Sequence, residues 1–555
     1  MTEHIFVGVA WPYANGSLHI GQIAGAYLPA DIFARYHRLK GNNVLMVSGS
    51  DQHGTPITIR AEQENTSPQE IASRYHNEFL DCWQKFGISF DLFTTTGTEN
   101  HKEVVHDIFL KLLREGYLYK DRIQQAYCPK CQRFLPDRYI EGTCPYCKFT
   151  GARGDQCDEC GRTLNPNELI DIHCRICSTT PRFEESEHFF FRLSAFEDKL
   201  KSWVKGKTYW RQNVLNFTLG FLEGGLNDRA ITRDIGWGIT VPQPGFEQKR
   251  IYVWFEAVIG YLSASKEWAS LHNSPDDWKL FWQDNAKSYY FIGKDNIPFH
   301  TLIWPAMLMG YEDLILPEDV PANEFLTIES KKISTSRNWA IWLPDFLSRY
   351  DADQLRYVLS ITMPEVGDTD FSWHEFVRRN NDELVATYGN LVHRVLTFTQ
   401  RNFNGAIPEG GELNNQSQEL IHKAEVALKN IDKHISQCHF REGIRTAMGL
   451  AQEANRFLDD QAPWKTIKND PQSSAKAIYT ALVSLSALKT AFYSYLPFSS
   501  RKLHSYLGLP GEIESNGWSL TPPPPGTKLS PPQPLFTKLD DSIIEDEMRR
   551  LGNQV

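Results

Sequence analysis

Ile5-Phe-Val-Gly-Val-Ala-Trp-Pro-Tyr-Ala-Asn-Gly-Ser-Leu-His-Ile-Gly-Gln22 is the stretch from which the architecture follows. Ile5 to Ala10 is apolar enough for a strand buried on both faces, as parallel strands are. Pro12, Asn15 and Gly16 make a turn, and from about His19 to Leu39 the pattern is helical, with Pro29 expected to kink it. Val44 to Val47 reads as the next strand, and it ends in Ser48-Gly-Ser-Asp-Gln-His-Gly54. Strand, helix, strand in this order opens an α/β fold with a doubly wound, Rossmann-like parallel sheet. Ligands of such sheets bind at the carboxyl ends of the strands, so Asp51 is a candidate site residue.

Outward from this unit the character changes several times. Residues 1–117 form the first half of the sheet domain. Residues 118–225 hold paired cysteines, Pro and Gly, and read as an inserted subdomain. The α/β character returns over 226–320 with Ile251-Tyr-Val-Trp254 and Tyr289-Tyr-Phe-Ile292, and 321–374 links onward. Residues 375–510 read as a helix bundle. Leu384, Tyr388, Leu391, Val395 and Phe398 recur at helical spacing, as do Phe440, Ile444, Met448 and Ala451, and again Ile478, Leu482, Leu485 and Leu488. Residues 511–555 are a proline-rich tail expected to pack on the rest, with a short amphipathic helix between Leu539 and Gly552.

The formal charge of the 555 residues is -10, which suits a soluble enzyme and does not advertise a nucleic-acid binder, although a local basic groove is compatible with it. No segment reaches the ~20 apolar residues that span a bilayer, and the N-terminus lacks the basic flank of a signal peptide. A cytoplasmic location is expected. Eight of the ten cysteines form four Cys-x-x-Cys pairs: Cys128/Cys131, Cys144/Cys147, Cys157/Cys160 and Cys174/Cys177. Each such turn aims two thiolates at one point, and two turns complete a tetrahedral zinc site. Only residues 148–156 separate the inner pairs, which assigns them to one ion and the outer pairs to a second. First with second and third with fourth is the alternative pairing. All-thiolate sites are closed and structural.

His19-Ile-Gly-Gln22 lies at a helix start, where free N–H groups face phosphates and Gly21 lets a flat base approach the backbone. Lys331-Lys-Ile-Ser-Thr-Ser-Arg337 suits a loop closing on a triphosphate, with lysine charge and short donors from Ser334 and Ser336. Together and in this order the two elements resemble the signature pair of class I aminoacyl-tRNA synthetases. The resemblance narrows to methionyl-tRNA synthetases along nearly the whole chain, in a version with two zinc knuckles. It is carried by Ala10-Trp-Pro-Tyr-Ala-Asn-Gly16, Ser50-Asp-Gln-His-Gly-Thr-Pro56, Phe134-Leu-Pro-Asp-Arg138 and Ser186-Glu-His-Phe-Phe-Phe191. Tyr252-Val-Trp254, Ile259-Gly-Tyr261, Phe291-Ile-Gly-Lys-Asp-Asn-Ile-Pro-Phe-His300, Trp304-Pro-Ala-Met307 and Gln461-Ala-Pro-Trp464 continue it.

The resemblance implies an ATP-dependent ligase that activates methionine and loads it onto methionine tRNA, with two structural zinc ions, Mg²⁺ accompanying ATP, no membrane partner and a monomeric state. It implies that Asp51 holds the α-ammonium and that Ala10, Tyr13, Trp254, Ala257, Tyr261, Phe299, His300 and Trp304 line the methionine pocket. ATP would fall to His19, Gly21, Gln22, Asp295, Lys332, Ser334 and Thr335. The implied catalytic set is His19, Gln22, Lys332, Asp51 and Arg233, and the anticodon would meet Asn390, Arg394 and Trp464. Three positions depart from the family pattern. Gln22 replaces a second histidine, Thr335 replaces the second lysine of the mobile loop, and Val258 stands where proline is common. Two other readings compete. A class I synthetase for Ile, Val or Leu would carry a large editing domain in the insert, which here is mostly cysteine knuckles. An inactive relative that only binds RNA would show no methionine-dependent pyrophosphate exchange.

Overall fold

A computed structural model describes residues 2–552 apart from 137–138, 155–156, 158, 161–163, 165 and 284. Asp137 and Arg138 of the Phe134–Arg138 stretch, and the side chain of Ser336, lie outside the described residues. Five parallel strands form the central sheet: His4–Val9, Asn43–Ser50, Leu92–Thr95, Ala286–Gly293 and Ala322–Asn323. Numbered along the chain within the sheet, they lie in the order 3-2-1-4-5. The first strand is central, with His4 opposite both Asn43 and Ala286. Ile5, Phe6, Val7 and Val9 are fully buried, as a strand covered on both faces requires. The strand order reverses between the first and fourth strands, so a crevice opens at their carboxyl ends.

The helix expected from His19 to Leu39 is divided. A short helix, Ile20–Gln22, passes into a π-helical turn, Ile23–Tyr27, before the regular helix Leu28–Leu39. Pro29 sits in the first turn of that last helix, where its missing N–H costs little, and the widened turn precedes it. Asn323 donates to Ala24 O at 2.7 Å, which ties the widened turn to the fifth strand. The run Ile251–Trp254 is strand only at Arg250–Ile251; Val253 already begins the helix Val253–Leu271. An apolar run this short does not separate a buried helix from a buried strand.

In the insert, Leu118–Cys128 and Arg182–Phe191 pair antiparallel from Leu118 opposite Phe191 to Tyr127 opposite Arg182. The cysteine pairs lie at and beyond the end of this ribbon, and Tyr139 and Arg133 among them meet Thr58 and Glu62 of the helix Thr55–Glu64. Toward the C-terminus the helices Asn390–Asn402, Asn415–Ser436, Phe440–Gln461 and Pro471–Tyr493 pack as a bundle. Its apolar stripes are buried, Phe398 only partly, and the first stripe begins on a π-helical segment, Asn380–Gly389. The proline-rich tail packs back on the linking segment and the bundle. Thr537 O accepts from Gln354 and Asn380, and Leu535 and Phe536 are buried. The last helix, Ser542–Arg550, sets Glu547 against Arg349 and Tyr350. Among the described residues, no helix is long and apolar enough to cross a membrane.

One buried charge cluster joins these parts. Asp31 Oδ2 accepts from Arg35 Nε at 2.8 Å and from Arg356 Nη2 at 2.7 Å, while Oδ1 accepts from Ser89 N and Oγ. Arg356 also donates to the carbonyls of Tyr495 and Ser494 at the end of the bundle's last long helix. Burial alone would raise the Asp31 carboxyl; Arg35 and Arg356 outweigh it and hold it at about 2. Arg356→Ala should cost ~3–5 kcal/mol by stranding the carboxylate, measured by denaturant unfolding. The stability that Asp31 contributes is complete above its ordinary value of 3.8 and is lost as pH falls toward 2. Asp31→Asn should therefore flatten the acid limb of the stability profile over that window, and an unchanged limb would assign the acid loss to other groups.

Candidate functional site

A cavity of about 600 Å³ opens at the crevice between the first and fourth strands. Ala10, Tyr13, His19, Gly21, Gln22, Asp51, Trp254, Ala257, Tyr261, Asp295, Phe299, His300, Lys332, Ser334 and Thr335 all line it. The Ala10–Gly16 turn is stitched to the end of the second strand: Asp51 N donates to Pro12 O, and Ala14 N donates to Asp51 O. That pairing brings Asp51, buried, under the cavity.

The apolar end is an aromatic box. Trp254 and Phe299 stack with centroids 4.4 Å apart and planes at 15°, and Tyr13 meets Trp254 edge-on at 6.0 Å. His300 Nδ1 lies 2.9 Å from Asn296 O, so that nitrogen carries the ring proton and Nε2 accepts from Tyr261 OH at 2.8 Å. Burial lowers His300 to about 4, so the ring is neutral at pH 7. Phe299 and His300 stand on a second π-helical turn, Phe299–Ile303, and residues of both turns line the cavity.

The polar end is the start of the helix after the turn. His19 is its N-cap; burial lowers its ring to about 4, and Nδ1 is buried without a partner. Gln22 Oε1 accepts from His19 N at 3.0 Å, which orients the amide with its oxygen on the backbone. A Cβ at Gly21 would lie 2.6 Å from Ile333 Cδ1 of the lysine loop, so the loop lies directly on this glycine. In the loop, Lys331 and Lys332 pair with Ile328 and Thr327, and the two side chains part. Lys331 Nζ lies 4.3 Å over the Trp339 ring, whereas Lys332 is the only lysine or arginine among the described residues lining the cavity. Lys294, nearby, is paired with Glu324 and Asp368.

Two expected residues stand back from the cavity. Trp304 is fully buried behind Tyr290, donating to its hydroxyl at 3.0 Å. Arg233 donates to Ala230 O and Thr232 O and lies 3.9 Å over the Tyr252 ring. Trp11, which the sequence reading left out, lines the floor, its indole inserted beside Gly49 and Gly260. Glu256, His53 and His101 form a buried cluster beside Asp51. A carboxylate in a helix otherwise apolar around it, Phe255-Glu-Ala-Val-Ile-Gly-Tyr261, was the available signal for that cluster.

Away from the cavity the cysteines gather as two groups, Cys144/Cys147/Cys157/Cys160 and Cys128/Cys131/Cys174/Cys177, inner pairs with inner and outer with outer. Sulfur–sulfur separations of 3.4, 3.9, 3.9 and 3.5 Å occur across these pairs. A tetrahedron with ~2.3 Å metal–sulfur bonds has edges of ~3.8 Å, so both groups are shaped to hold an ion. On the bundle, Arg394 lies 5.0 Å over the ring of Trp464, which is 43% exposed. Asn390 is exposed one helical turn before Arg394.

Residues 5–396 match the family model described as "tRNA synthetases class I (M)", and 407–554 match "Anticodon binding domain of methionyl tRNA ligase". The chain is 61% identical over 552 residues to a methionine–tRNA ligase of Dehalococcoides mccartyi, covering all of both chains. It is 51% identical to the methionine–tRNA ligase of Thermomicrobium roseum, covering 99% of each. A solved structure of Mycobacterium tuberculosis methionyl-tRNA synthetase in complex with methionyl-adenylate superposes with a TM-score of 0.80 at 25% identity, covering 97% of this chain and 100% of that one.

The cavity floor depends on two missing side chains. A Cβ at Gly49 would lie 2.6 Å from both Thr94 O and Trp11 Cη2. Gly49→Ala should displace the indole and cost about 1–3 kcal/mol, read as a lower thermal midpoint; an unchanged midpoint would show that the indole is not wedged there.

Proposed function

This chain belongs to the methionyl-tRNA synthetase family of class I aminoacyl-tRNA synthetases, and from that premise we propose how its residues divide the work of joining methionine to tRNA. The observation that carries the proposal is the meeting, in one cavity, of a helix start, a buried carboxylate, an aromatic box and one lysine. Methionine lies in the box of Tyr13, Trp254, Ala257, Tyr261, Phe299 and His300 beside Ala10, where aromatic faces attract its polarizable sulfur. The neutral His300 imidazole offers a polar edge without a charge to desolvate. Asp51 takes the α-ammonium. Arg233 and Trp304 back the pocket walls.

ATP lies across Gly21, with His19 and Gln22 toward its phosphates and Asp295, Ser334 and Thr335 completing the contacts. Mg²⁺ accompanies the nucleotide. The methionine carboxylate attacks the α-phosphorus and pyrophosphate leaves; the terminal ribose hydroxyl of tRNA then attacks the adenylate carbonyl, the acyl–phosphate bond breaks, and AMP leaves as the hydroxyl gives up its proton. Neither step needs a covalent enzyme intermediate, so positioning and charge stabilisation supply the rate. With threonine at 335, Lys332 is the mobile cation that meets charge growing on the leaving pyrophosphate. The two cysteine groups hold zinc as closed structural clamps on the insert, fitting its preference for four thiolates in a tetrahedron. Asn390, Arg394 and Trp464 meet the anticodon, with Trp464 stacking on a base.

Lys332→Ala should slow single-turnover adenylate formation about a hundredfold to a thousandfold, while methionine affinity holds and Lys331→Ala is nearly silent. The reverse ranking of the two lysines would overturn the assignment. Trp464→Ala should lower tRNA charging roughly tenfold to a hundredfold, as loss of one base stack of ~1–3 kcal/mol implies, and should leave methionine-dependent pyrophosphate exchange intact. Equal loss in both assays would refute the separation of the two sites.

A further inference from the structure

Beside Asp51 lies a second carboxylate that the reaction does not use. Glu256, in the first turn of Val253–Leu271, is fully buried. His53 Nδ1 stands 3.0 Å from both of its oxygens, and the His53 side chain is itself nearly closed from solvent, at 10% exposure. The same histidine donates its backbone N–H to Asp51 Oδ1 at 3.1 Å. His53 therefore touches both carboxylates, one through its ring and one through its backbone. The remaining neighbour is His101 on Glu99–Arg114, with Nε2 3.4 Å from Glu256 Oε2 and Nδ1 2.8 Å from Ser263 Oγ. The Trp237 ring meets the His53 ring edge-on, with centroids 5.6 Å apart.

We propose that the His53–Glu256 pair is the positioning device of the ammonium subsite, offsetting the second buried carboxylate so that Asp51 alone presents its charge to the substrate. The proposal rests on the assignment of Asp51 to the methionine ammonium. Two carboxylates buried side by side without a cation cannot both stay ionised cheaply; one takes up a proton. A protonated Asp51 cannot pair with an ammonium. The directions in which these groups titrate agree with the geometry. Burial would lower His53, but Glu256 outweighs it and holds the ring above its ordinary value. Burial keeps His101 below its ordinary value, so it is neutral and does not replace His53. Burial first, then Glu256, lifts Asp51 to about 7, and His53 acts against that rise. With Asp51 and Glu256 ionised and His53 protonated, the three sum to one negative charge, which the substrate ammonium cancels.

The test is a charge-balance cycle read as the methionine KM in pyrophosphate exchange between pH 6.5 and 8.5, with the ATP KM as a control for folding. H53N leaves two carboxylates and no counter-charge. It should raise the methionine KM roughly fivefold at pH 7, as a rise of one pKa unit on Asp51 from about 7 implies, and the loss should shrink toward pH 8.5 as Asp51 ionises. H53N/E256Q restores a single carboxylate and should bring the KM back to within about threefold of the parent. A double variant no better than H53N, or an H53N variant with parental KM, would overturn the proposal. If H53N does not fold, E256Q alone decides: a KM near the parent's agrees with charge balance, and a roughly tenfold rise contradicts it. Asp51→Asn separates the two readings. A parental methionine KM in that variant removes the Asp51 assignment itself, whereas loss in Asp51→Asn with none in H53N removes only the role of His53.

Discussion

The Asp31 carboxylate has no access to solvent and is held by two guanidinium groups that come from different parts of the chain. Arg35 shares its helix; Arg356 comes from the segment that follows the lysine loop. The other donors of each arginine also find acceptors at the junction, Gly87 O and the Tyr493 hydroxyl for Arg35, and Ser494 O and Tyr495 O for Arg356. A buried ion pair is favourable only when its remaining protons and lone pairs are satisfied, and here the sheet domain, the linking segment and the bundle all contribute to that satisfaction. The cavity and the bundle are therefore tied through this buried charge cluster. Tyr36 and Lys40, both bonded to Asp432, add a second and more exposed tie between the same helix and the bundle.

The cavity is built by departures from regular structure. Two π-helical turns, Ile23–Tyr27 and Phe299–Ile303, stand on its walls. Widened turns of this kind re-aim side chains and recur at functional sites. Glycines at 21, 49 and 260 leave room that a loop residue or the Trp11 indole fills. Gln22 is a second economy: its amide oxygen caps the helix start, a task for which the charge of a second histidine is not needed. With threonine at 335 the lining holds a single lysine among the described residues, and its acidic groups Glu324 and Asp368 are paired with Lys294.

Much of this was legible in the residues. Alternation of strand and helix, the apolar central strand and the turn at Ser48–Gly54 all anticipate the sheet and its crevice. The short spacer between Cys147 and Cys157 anticipated which cysteine pairs meet. Where the reading stopped short, the reason is physical. Hydrophobic periodicity does not distinguish a π turn from an α turn over five residues, so the division of the first helix was not visible. Trp304 and Arg233 sit in stretches that carry the family resemblance, yet their direction depends on Tyr290 and Tyr252, and a motif does not state which way its members face.

By itself the amino-acid order indicated the fold class, the thiolate groups and the helical second half, because each rests on local pattern or on spacing along the chain; most of the residues that line the cavity were implied by the family resemblance. The resemblance had already singled out Lys332 of the two adjacent lysines, and the tertiary structure supplies the reason, the register of a two-residue strand against Thr327 and Ile328. Only it placed a second carboxylate and two histidines around Asp51, because Glu256, His53 and His101 come from three separate elements. Burial and charge are properties of what folding brings together, and these distant residues acquire them only when the helices Glu99–Arg114 and Val253–Leu271 close over the end of the second strand.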